Sequence, residues 1–375
     1  MAERAVSAGL SARELRRYSR HLLIPDVGLA GQRRLRAARV LVIGAGGLGS
    51  PALEYLAAAG VGRIGIVDDD VVDLTNLQRQ TIFATADIGE KKVAAAARRV
   101  LAINPETNVD PYPVRARDGN VRELVRPYDL VLDCTDRFST RYLINDACVL
   151  EGKPDVYASI FRFDGQVSVF DAARGPCYRC LFPQAPPPGS VPTCAEGGVL
   201  GVLAGIVGTW QANEALKLAL GIGEPLIGRV LLIDALGARV REIRFERDPA
   251  CALCGNEPTI RDARETLDED DARDVDEIDA EGLDEALADA TLLDVREPHE
   301  AVLGVLDGAI HIPASALEAR LHELDTAKTY VVACRIGQKS LWAAQRLRDA
   351  GFRRIRHLRG GLLAYAARDD AFAFF

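Results

Sequence analysis

Short apolar runs and longer amphipathic stretches alternate along the chain. Ser11, with Glu14 three residues later, predicts a first helix that opens with a capping box. The run 38–43 is apolar and β-branched, the segment 51–59 is rich in alanine, and a second apolar run covers 63–67. This order predicts a βαβ unit whose two strands are parallel and whose crossover is right-handed.

The same alternation continues to about residue 254. We expect a further helix at 91–103 and another that ends at 125. We also expect further strands at 109–114, 130–133, 165–171 and 230–234. The apolar run 199–210 continues into Glu214 and Lys217, so it predicts a buried helix and falls short of the roughly 20 residues that span a bilayer. The proline-rich segment 182–192 cannot hold regular structure and predicts a crossover loop.

A change of pattern after Cys254 predicts a second domain. The segment from Asn256 to about Val275 is acidic and poor in large apolar residues, which is typical of a linker. A second αβ pattern follows, with strands expected at 291–295, 310–312, 330–333 and 355–358. We therefore predict an α/β protein with a Rossmann-like doubly wound sheet in residues 1–255, a linker in 256–276 and a small α/β domain in 277–375.

Composition and charge narrow the classes of function. Hydrophobic residues make up 48% of the 375 residues and charged residues 27%, as in globular proteins with sizeable cores. The formal net charge of -8 offers no broad positive field for a nucleic acid. We find neither an export signal nor a membrane span, so we expect a cytoplasmic protein whose eight cysteines stay reduced.

A glycine-rich motif follows the first predicted strand. Its sequence GAGGLG provides Gly44, Gly46, Gly47 and Gly49, which let the backbone turn sharply and point amide groups at a phosphate. Asp68 lies at the end of the next strand, and its separation in sequence from the glycine motif is that expected for a carboxylate that binds ribose hydroxyls. The motif therefore predicts a nucleotide site, for which a dinucleotide such as NAD is one candidate.

The charged residues that follow favour a triphosphate over a dinucleotide. The motif is followed by Asp70, Asn76, Arg79, Lys92 and Asp136. Arginine and lysine bind phosphate oxygens, and a carboxylate at a strand end can hold the Mg²⁺ that bridges phosphates. Hydride transfer to a nicotinamide needs none of these groups, so the cluster suits a triphosphate bound with Mg²⁺.

Two Cys-x-x-C pairs indicate a metal site. Cys177 with Cys180, and Cys251 with Cys254, supply four thiolates for a tetrahedral Zn²⁺ of structural type. The gap between the pairs is long, so spacing alone also allows redox pairs or core cysteines.

A loop of CRIGQKS follows the predicted strand 330–333. Backbone amides, the start of the following helix, Arg335 and Lys339 can stabilise an anionic sulfur on Cys334, so we expect a lowered pKa for this thiol. A persulfide would be held in the same way. The Cys-x5-Arg loop of phosphatases would need arginine where this chain has Ser340, which argues against phosphate-ester hydrolysis.

The first of these domains resembles a known family. GAGGLG, VDDD, NLQRQ, LDCTD and CYRC, within about residues 11–254, resemble the molybdopterin-synthase and thiamine-pathway adenylyltransferases, relatives of the ubiquitin-activating enzymes. The resemblance implies ATP-dependent adenylation of the C-terminal Gly-Gly carboxylate of a small β-grasp sulfur-carrier protein. It also implies the four-cysteine zinc site.

The resemblance also implies roles for individual residues. Asp68 would bind the ribose, Asn76, Arg79 and Lys92 the phosphates, and Asp136 the Mg²⁺. Arg20 matches an arginine that family members supply across a homodimer to the ATP of the other subunit. Cys194 stands where relatives place a cysteine that bonds covalently to the carrier or to a sulfur donor, although a buried unreactive cysteine fits as well. Cys134 and Cys148 are expected in the core.

The second domain resembles rhodanese-type sulfurtransferases. The resemblance rests on LLDVREPHE, GAIHIP and CRIGQKS and covers about residues 277–375. It implies that Cys334 carries sulfur as a persulfide, received from a sulfane-sulfur donor such as a cysteine desulfurase. The combined hypothesis is that this persulfide attacks the carrier adenylate and leads to a thiocarboxylate.

Two alternatives to this hypothesis stay open at the level of sequence. One is an activator of a ubiquitin-like protein that forms a thioester on Cys194, with the second domain as a docking module. The other is a nicotinamide oxidoreductase. The sequence also leaves the destination of the sulfur open among molybdenum cofactor, thiamine, cysteine and tRNA thiolation.

Overall fold

The computed structural model describes residues 9–185, 198–264, 275–302 and 304–368. The described chain forms two compact units, of which the first contains 9–185 with 198–264 and the second 275–302 with 304–368. Each unit has its own sheet. Residues 256–264 of the predicted linker belong to the first unit, where Ala263 is fully buried among the side chains of its core, and residues 275 and 276 belong to the second unit.

The first unit contains an eight-stranded sheet. Its strands are β1 (Arg39–Ile43), β2 (Arg63–Val67), β3 (Asn108–Tyr112), β4 (Leu130–Asp133), β5 (Asp155–Phe161), β6 (Asp164–Phe170), β7 (Arg229–Asp234) and β8 (Arg239–Arg244). They are arranged in the order β3-β2-β1-β4-β5-β6-β7-β8. The strands from β3 to β5 are parallel, and those from β5 to β8 are antiparallel.

Helices cover this sheet. They are α1 (Ala12–Arg17), α2 (Ser19–Leu22), α3 (Gly28–Ala37), α4 (Gly49–Ala59), α5 (Lys92–Ile103), α6 (Val121–Val125), α7 (Phe138–Leu150), α8 (Tyr178–Leu181) and α9 (Gly201–Leu220). The capping box predicted before α1 is present, because Glu14 N donates to Ser11 Oγ at 3.2 Å and Ser11 N donates to the Glu14 carboxylate at 2.8 Å.

The parallel half of the sheet is buried on both faces, as its apolar strands predict. Leu41 and Ile43 of β1 pack with α6 and α7 in one core, while Val40 and Val42, on the opposite face, are equally buried. Helix α4 contacts both α5 and α9. The predicted βαβ unit and the Rossmann-like doubly wound sheet are therefore confirmed for this half.

The antiparallel half contains strands that the sequence pattern did not reveal. β5 lies between the predicted strands and joins β6 through a tight turn in which Arg162 has a φ of 51°. Strand β8 is exposed along its whole length, and its sequence RVREIR mixes charged with apolar residues. Such a strand gives no continuous apolar run, which is why hydrophobic patterning missed it.

Helix α9 is longer and less buried than the run 199–210 predicted. One side, which includes Leu203 and Val207, is buried, but Val202, Ile206 and Trp210 are exposed. The predicted buried helix is therefore confirmed for one face, whereas the face that carries Val202, Ile206 and Trp210 is exposed. Across the described ranges, no helix combines the length and the hydrophobicity needed to cross a membrane.

The second unit is built on a five-stranded parallel sheet. Its strands are β9 (Asp276–Ile278), β10 (Thr291–Asp294), β11 (Ile310–His311), β12 (Tyr330–Ala333) and β13 (Ile355–Leu358), in the order β11-β10-β12-β13-β9. The helices are α10 (Leu283–Ala286), α11 (Pro298–Ala301), α12 (Leu317–Arg320), α13 (Gln338–Asp349) and α14 (Gly361–Ala366). β12 is central and fully buried, so the loop that follows it lies at the middle of the carboxyl edge of the sheet.

Candidate functional site

The glycine motif forms the turn between β1 and α4. Gly44 has a φ of +97°, and a Cβ there would lie 2.8 Å from the carbonyl oxygen of Cys134. A side chain on Gly49 would collide with the carbonyl oxygen of Gly44. Only glycine fits both positions, so the loop can bring its backbone to a ligand at the start of α4.

Asp68 lies beside this loop, at the end of β2. Its carboxylate accepts hydrogen bonds from Ala45 N at 2.8 Å and from Asp70 N at 3.0 Å. Burial raises the pKa of Asp68, while the nearby Lys92 ammonium and these two amides oppose that rise. The carboxylate is thus fixed against the glycine loop, with lone pairs left to accept from two ribose hydroxyls.

Lys92 is held at the same edge of the sheet. Its side chain is buried, and Nζ lies 2.9 Å from an oxygen of Asp70, which is exposed. The neighbouring Lys91 Nζ donates to the carbonyl oxygen of Asp69 at 2.8 Å. An ammonium held by an exposed carboxylate can transfer its contact to a phosphate without a large movement, because the stem is already ordered.

Arg79 lies against the glycine loop. The position that a Cβ of Gly47 would occupy is 3.4 Å from Arg79 Cγ, and Arg79 Nη1 donates to the carbonyl oxygen of Thr75 at 3.1 Å. Asn76 ends a short 3₁₀ helix, and its Oδ1 accepts from Asp73 N at 3.1 Å. The structure therefore brings Arg79 to the phosphate loop and orients Asn76 within the preceding turn.

Asp136 is exposed three residues after β4, the strand next to β1. The other carboxylate of LDCTD, Asp133, is buried and accepts from the amide and hydroxyl of Thr135 at 2.9 and 2.6 Å. Burial raises the pKa of Asp133 and raises that of Asp155 well above its ordinary value. Only Asp136 of the two LDCTD carboxylates is available to a magnesium ion.

Arg20 lies in α2 and is exposed. Nothing in a single chain assigns it a ligand, so its contribution to the ATP of a second subunit stays a prediction. Cys194 falls outside the described residues. Its covalent role, and the alternative of a thioester on it, also stay predictions.

Two residues near the nucleotide loop escaped the sequence reasoning. Gln80 is buried beside Gly46, and its Oε1 has no hydrogen-bond partner within the described ranges. Arg141 is buried between the rings of Phe138 and Tyr157 and donates to the carbonyl oxygen of Thr135 at 3.2 Å. Gln80 belongs to the NLQRQ motif and could have been included among the predicted nucleotide-site residues. Nothing in the sequence around Arg141 distinguishes it from a surface arginine.

The two Cys-x-x-C pairs converge despite the long gap between them. Sulfur–sulfur distances are 3.9 Å for Cys177–Cys180, 3.7 Å for Cys177–Cys251 and 3.4 Å for Cys180–Cys254. One thiol atom from each cysteine fits within 4.8 Å of the others. Four soft ligands at such distances, with two of the cysteines buried, fit a tetrahedral zinc site and leave no open position for catalysis.

The remaining described cysteines of the first unit lie in its core. Cys134 and Cys148 are buried, and burial raises the pKa of both thiols well above the ordinary value. Neither is a nucleophile at neutral pH. Their expected place in the core is confirmed.

The sulfur loop runs from Cys334, directly after β12, into α13. Gly337 N donates to Cys334 Sγ at 3.2 Å, and Gly337 itself has a φ of +97° at the start of the helix. Ser340 and the backbone of Ile336 also face the sulfur, and both act to lower the pKa of the thiol. The loop thus surrounds the sulfur with donors, as the sequence predicts.

The expected lowering of the Cys334 pKa is wrong for the free thiol. Cys334 is only 1% exposed, and burial raises its pKa by more than the loop hydrogen bonds lower it. Lys339 does not compensate, because its Nζ pairs with the Glu300 carboxylate at 2.8 Å. The loop is built to receive an anionic sulfur, but the resting thiol is protonated.

Each domain of the chain matches a known protein family. The model of the ThiF family matches residues 18–253, and that of the rhodanese-like domain matches residues 279–368. The sulfur carrier protein adenylyltransferase of Thermus thermophilus is 55% identical over 254 residues, covering 66% of this chain and 94% of that protein. Both resemblances drawn from the sequence are confirmed.

A second relative spans both domains. The probable adenylyltransferase/sulfurtransferase MoeZ of Mycobacterium tuberculosis is 46% identical over 379 residues, covering 96% of this chain and 95% of that protein. Among solved structures, that of MccB from E. coli has a TM-score of 0.59 at 24% identity, covering 66% of this chain and 75% of that one. At this identity the structure supports the fold alone.

Proposed function

The chain belongs to the ThiF family and carries a rhodanese-like domain, and from this premise we propose that its two units act in succession on one small sulfur-carrier protein. The protein is an adenylyltransferase and a sulfurtransferase, as its relatives are named. The carrier is a β-grasp protein that ends in Gly-Gly. The first unit activates its terminal carboxylate, and the second supplies the sulfur.

The observation that supports the adenylation step is that a carboxylate and an arginine suited to ATP lie around the turn between β1 and α4. Asp68 is hydrogen-bonded to Ala45 of the loop, and Arg79 lies against Gly47. In the proposed step Asp68 binds the ribose, and Asn76, Arg79 and Lys92 bind the phosphates. The carrier carboxylate attacks the α-phosphate, and pyrophosphate leaves.

Two further contributions complete this step. Asp136 would hold the Mg²⁺, whose chemistry is to neutralise phosphate charge as pyrophosphate departs. Arg20 would reach the ATP of a second copy of the chain, so the active form is a homodimer. The four cysteines of the zinc site would clamp the end of α8 to the segment around Cys251, which stabilises the unit without entering the reaction.

The sulfur step follows at Cys334. A sulfane-sulfur donor, such as a cysteine desulfurase, leaves one sulfur on the thiol as a persulfide. The terminal sulfur of that persulfide bonds to the carbonyl carbon of the carrier adenylate, and AMP leaves. A second thiol then attacks Cys334 Sγ, which releases the carrier thiocarboxylate and forms a disulfide with Cys334.

A reducing compartment suits this chemistry. The cysteines within the described ranges are all free, and four of them are arranged as metal ligands. A persulfide and a zinc-bound thiolate both require that these sulfurs are not paired as disulfides. We therefore place the reaction in the cytoplasm.

The test separates the two steps with two variants of the full chain. ATP–pyrophosphate exchange is measured with candidate Gly-Gly carriers, and the intact mass of the carrier is then measured after a sulfane-sulfur donor is added. Asp136→Ala is expected to abolish exchange. Cys334→Ala is expected to keep exchange and to lose the mass gain of one sulfur replacing one oxygen.

Each of the two variants has a matched control in the same chain. Asp69→Ala removes an exposed carboxylate of the acidic run whose side chain we assign no ligand, and it should keep exchange. Cys148→Ser removes a core thiol and should keep both readouts. Absence of exchange with every Gly-Gly carrier, or equal loss of exchange in Asp136→Ala and Cys334→Ala, would refute the proposal. A carrier thioester on Cys194 would point to the alternative activator.

A further inference from the structure

His357 is a buried titratable residue that the proposed reaction does not use. It lies in β13 and is 4% exposed. In the parallel pairing of β12 with β13 it stands opposite Val332, two residues before Cys334. The ring is therefore placed close to the start of the sulfur loop.

The ring contacts that loop through Ser340. His357 Nδ1 lies 3.1 Å from Ser340 Oγ, and Ser340 is fully buried. A methyl group on Gly337 would lie 3.4 Å from His357 Cε1, so the ring packs directly against the loop. The imidazole, the serine hydroxyl and the sulfur of Cys334 lie in one row, because Ser340 Oγ donates to Gly337 O at 2.9 Å and Gly337 N donates to the sulfur at 3.2 Å.

The number of hydrogens in this row decides how it can work. A serine hydroxyl has one hydrogen to donate, and Ser340 Oγ faces Gly337 O at 2.9 Å as well as His357 and the sulfur. A neutral imidazole carries its hydrogen on one nitrogen only. With the hydrogen on Nε2, His357 Nδ1 would accept from Ser340 and compete with the sulfur for that single hydrogen.

With the hydrogen on Nδ1 the competition disappears. The imidazole then donates to Ser340 Oγ, and the hydroxyl hydrogen is left for Gly337 O or for the sulfur. Burial, and to a smaller extent the Arg359 charge, lower the pKa of His357 to about 4, so the ring is neutral at pH 7. Other charged residues on adjoining elements are Glu277, opposite His357 in β9, and Lys339, which is paired with Glu300.

We propose that His357 is a positioning residue for sulfur transfer, whose Nδ1–H donates to Ser340 and thereby directs the Ser340 hydroxyl to the sulfur of Cys334. The inference rests on the proposed function, in which this sulfur becomes anionic. In the resting thiol the hydroxyl bonds Gly337 O. When the thiol loses its proton, or gains a terminal sulfur, the hydroxyl turns to the negative charge.

The first test measures the pKa of the Cys334 thiol in the full chain. The rate of iodoacetamide alkylation is followed between pH 6 and pH 10 by mass spectrometry of the Cys334 peptide, which separates this cysteine from the other seven. Ser340→Ala and His357→Leu should each raise the thiol pKa by about one unit, a tenfold loss of thiolate at a given pH. His357→Asn, whose amide can replace the Nδ1–H donor, should stay near the wild type.

The double variant tests the relay itself. If His357 acts through Ser340, then Ser340→Ala with His357→Leu should shift the pKa no further than Ser340→Ala alone. A wild-type pKa in His357→Leu overturns the inference. The inference is also overturned if His357→Leu shifts the pKa of the Cys334 thiol equally in the wild-type and Ser340→Ala backgrounds.

A second measurement determines the tautomer in the wild-type chain and uses one variant only to assign the resonance. Ring-¹⁵N histidine NMR of the wild-type chain reports the tautomer of each of its five histidines, and His357→Asn identifies the resonance of His357. The inference requires the Nδ1–H tautomer, and the Nε2–H tautomer would refute it. If Cys334 never gains sulfur from a donor, the proposed function fails, whereas the thiol pKa and the tautomer still decide the role of His357.

Discussion

In the first unit the residues assigned to ATP come from segments far apart in sequence, whereas in the second unit a single continuous loop surrounds the sulfur. Asp68 and Asp136 follow different strands, and Lys92 begins a helix. By contrast, the residues from Cys334 to Ser340 are consecutive, and they form the loop after β12 and the first turn of α13. A site of the first kind depends on the packing of the whole sheet, and one of the second kind depends mainly on local backbone geometry.

The two sites also differ in the exposure and ionisation of the groups that line them. At the nucleotide site Asp70 and Asp136 are exposed, and Lys92 is already paired, as suits a polyanion that exchanges with solvent. At the sulfur loop the thiol is buried, and its pKa is raised. Protonation lowers the reactivity of this thiol, which must lose its proton to take a sulfur from the donor, whereas the persulfide formed there is more acidic and is held as an anion by the same amides. The difference indicates that the sulfur site can react with the carrier only after Cys334 holds a persulfide, whereas the nucleotide site needs only to bind its nucleotide.

The largest expected difference between the units is their dependence on zinc. The chain has two tryptophans, Trp210 in the first unit and Trp342 in the second, so fluorescence of Trp342→Phe and Trp210→Phe reports each unit separately. A strong chelator should destabilise the first unit by several kcal/mol, because structural zinc is worth about 10 kcal/mol or more in small zinc-finger peptides. The second unit should not change.

Metal analysis provides the matched control. Cys251→Ser should reduce bound zinc from about one equivalent per chain to a small fraction, whereas Cys148→Ser should leave it unchanged. Equal chelator sensitivity of the two fluorescence transitions would contradict the assignment of the metal to the first unit.

The next effect concerns the independence of the two sites. Asp68→Asn removes the negative charge that we assign to the ribose and weakens the fixation of the glycine loop through Ala45 N. We expect a loss of about a hundredfold in the rate of pyrophosphate exchange, as for removal of one preorganised polar group. Persulfide formation on Cys334 should be unchanged, and Asp69→Asn should affect neither. A parallel fall in both activities would show that the two sites are not separable.

The smallest effect tests the buried carboxyls beneath the nucleotide site. Burial, with the nearby Asp133, raises the pKa of Asp155 well above the ordinary value of 3.8, and Asp155 Oδ1 has no hydrogen-bond partner in the described parts of the chain. The folded state therefore binds more protons than the unfolded state above about pH 4, and the free energy of unfolding decreases as the pH rises through this range.

Asp155→Asn removes that dependence. In a Trp342→Phe background, where Trp210 reports the first unit, the variant should be more stable than the unsubstituted chain at pH 7 by about 1 to 3 kcal/mol. The reason is that an amide needs no proton to be buried, whereas each unit of raised pKa costs the carboxyl about 1.4 kcal/mol at pH 7. The difference should shrink toward pH 4. The exposed Asp26→Asn serves as the control and should change little. A less stable Asp155→Asn at pH 7 would contradict the raised pKa.

Sequence reasoning recovered the continuous features and missed those that depend on packing. The βαβ unit, the glycine loop and the place of Cys334 after β12 were all predicted, because each is encoded in neighbouring residues. The pKa of Cys334 was predicted in the wrong direction, since the burial of a loop by the elements around it has no local signal. The pairing of Lys339 with Glu300 depends on the same tertiary packing.

The same limit explains why two polar residues near the nucleotide site were not predicted. Gln80 and Arg141 are polar residues in the core, and their burial follows from the sheet and not from their own sequence context. His357 lies in a short strand whose pattern looks ordinary, and its contact with Ser340 joins residues 17 positions apart. Hydrophobic periodicity places the strand but does not identify the hydrogen bond.

The central claim, that sulfur leaves Cys334 for a carrier activated by the first unit, is tested most directly by a single turnover. The chain is loaded with ³⁵S-persulfide on Cys334, freed of donor, and mixed with the Gly-Gly carrier and a thiol, with or without ATP and Mg²⁺. The account predicts label in the carrier thiocarboxylate only when ATP is present. Equal labelling without ATP, or label that stays on Cys334 while the carrier is adenylated, would contradict it.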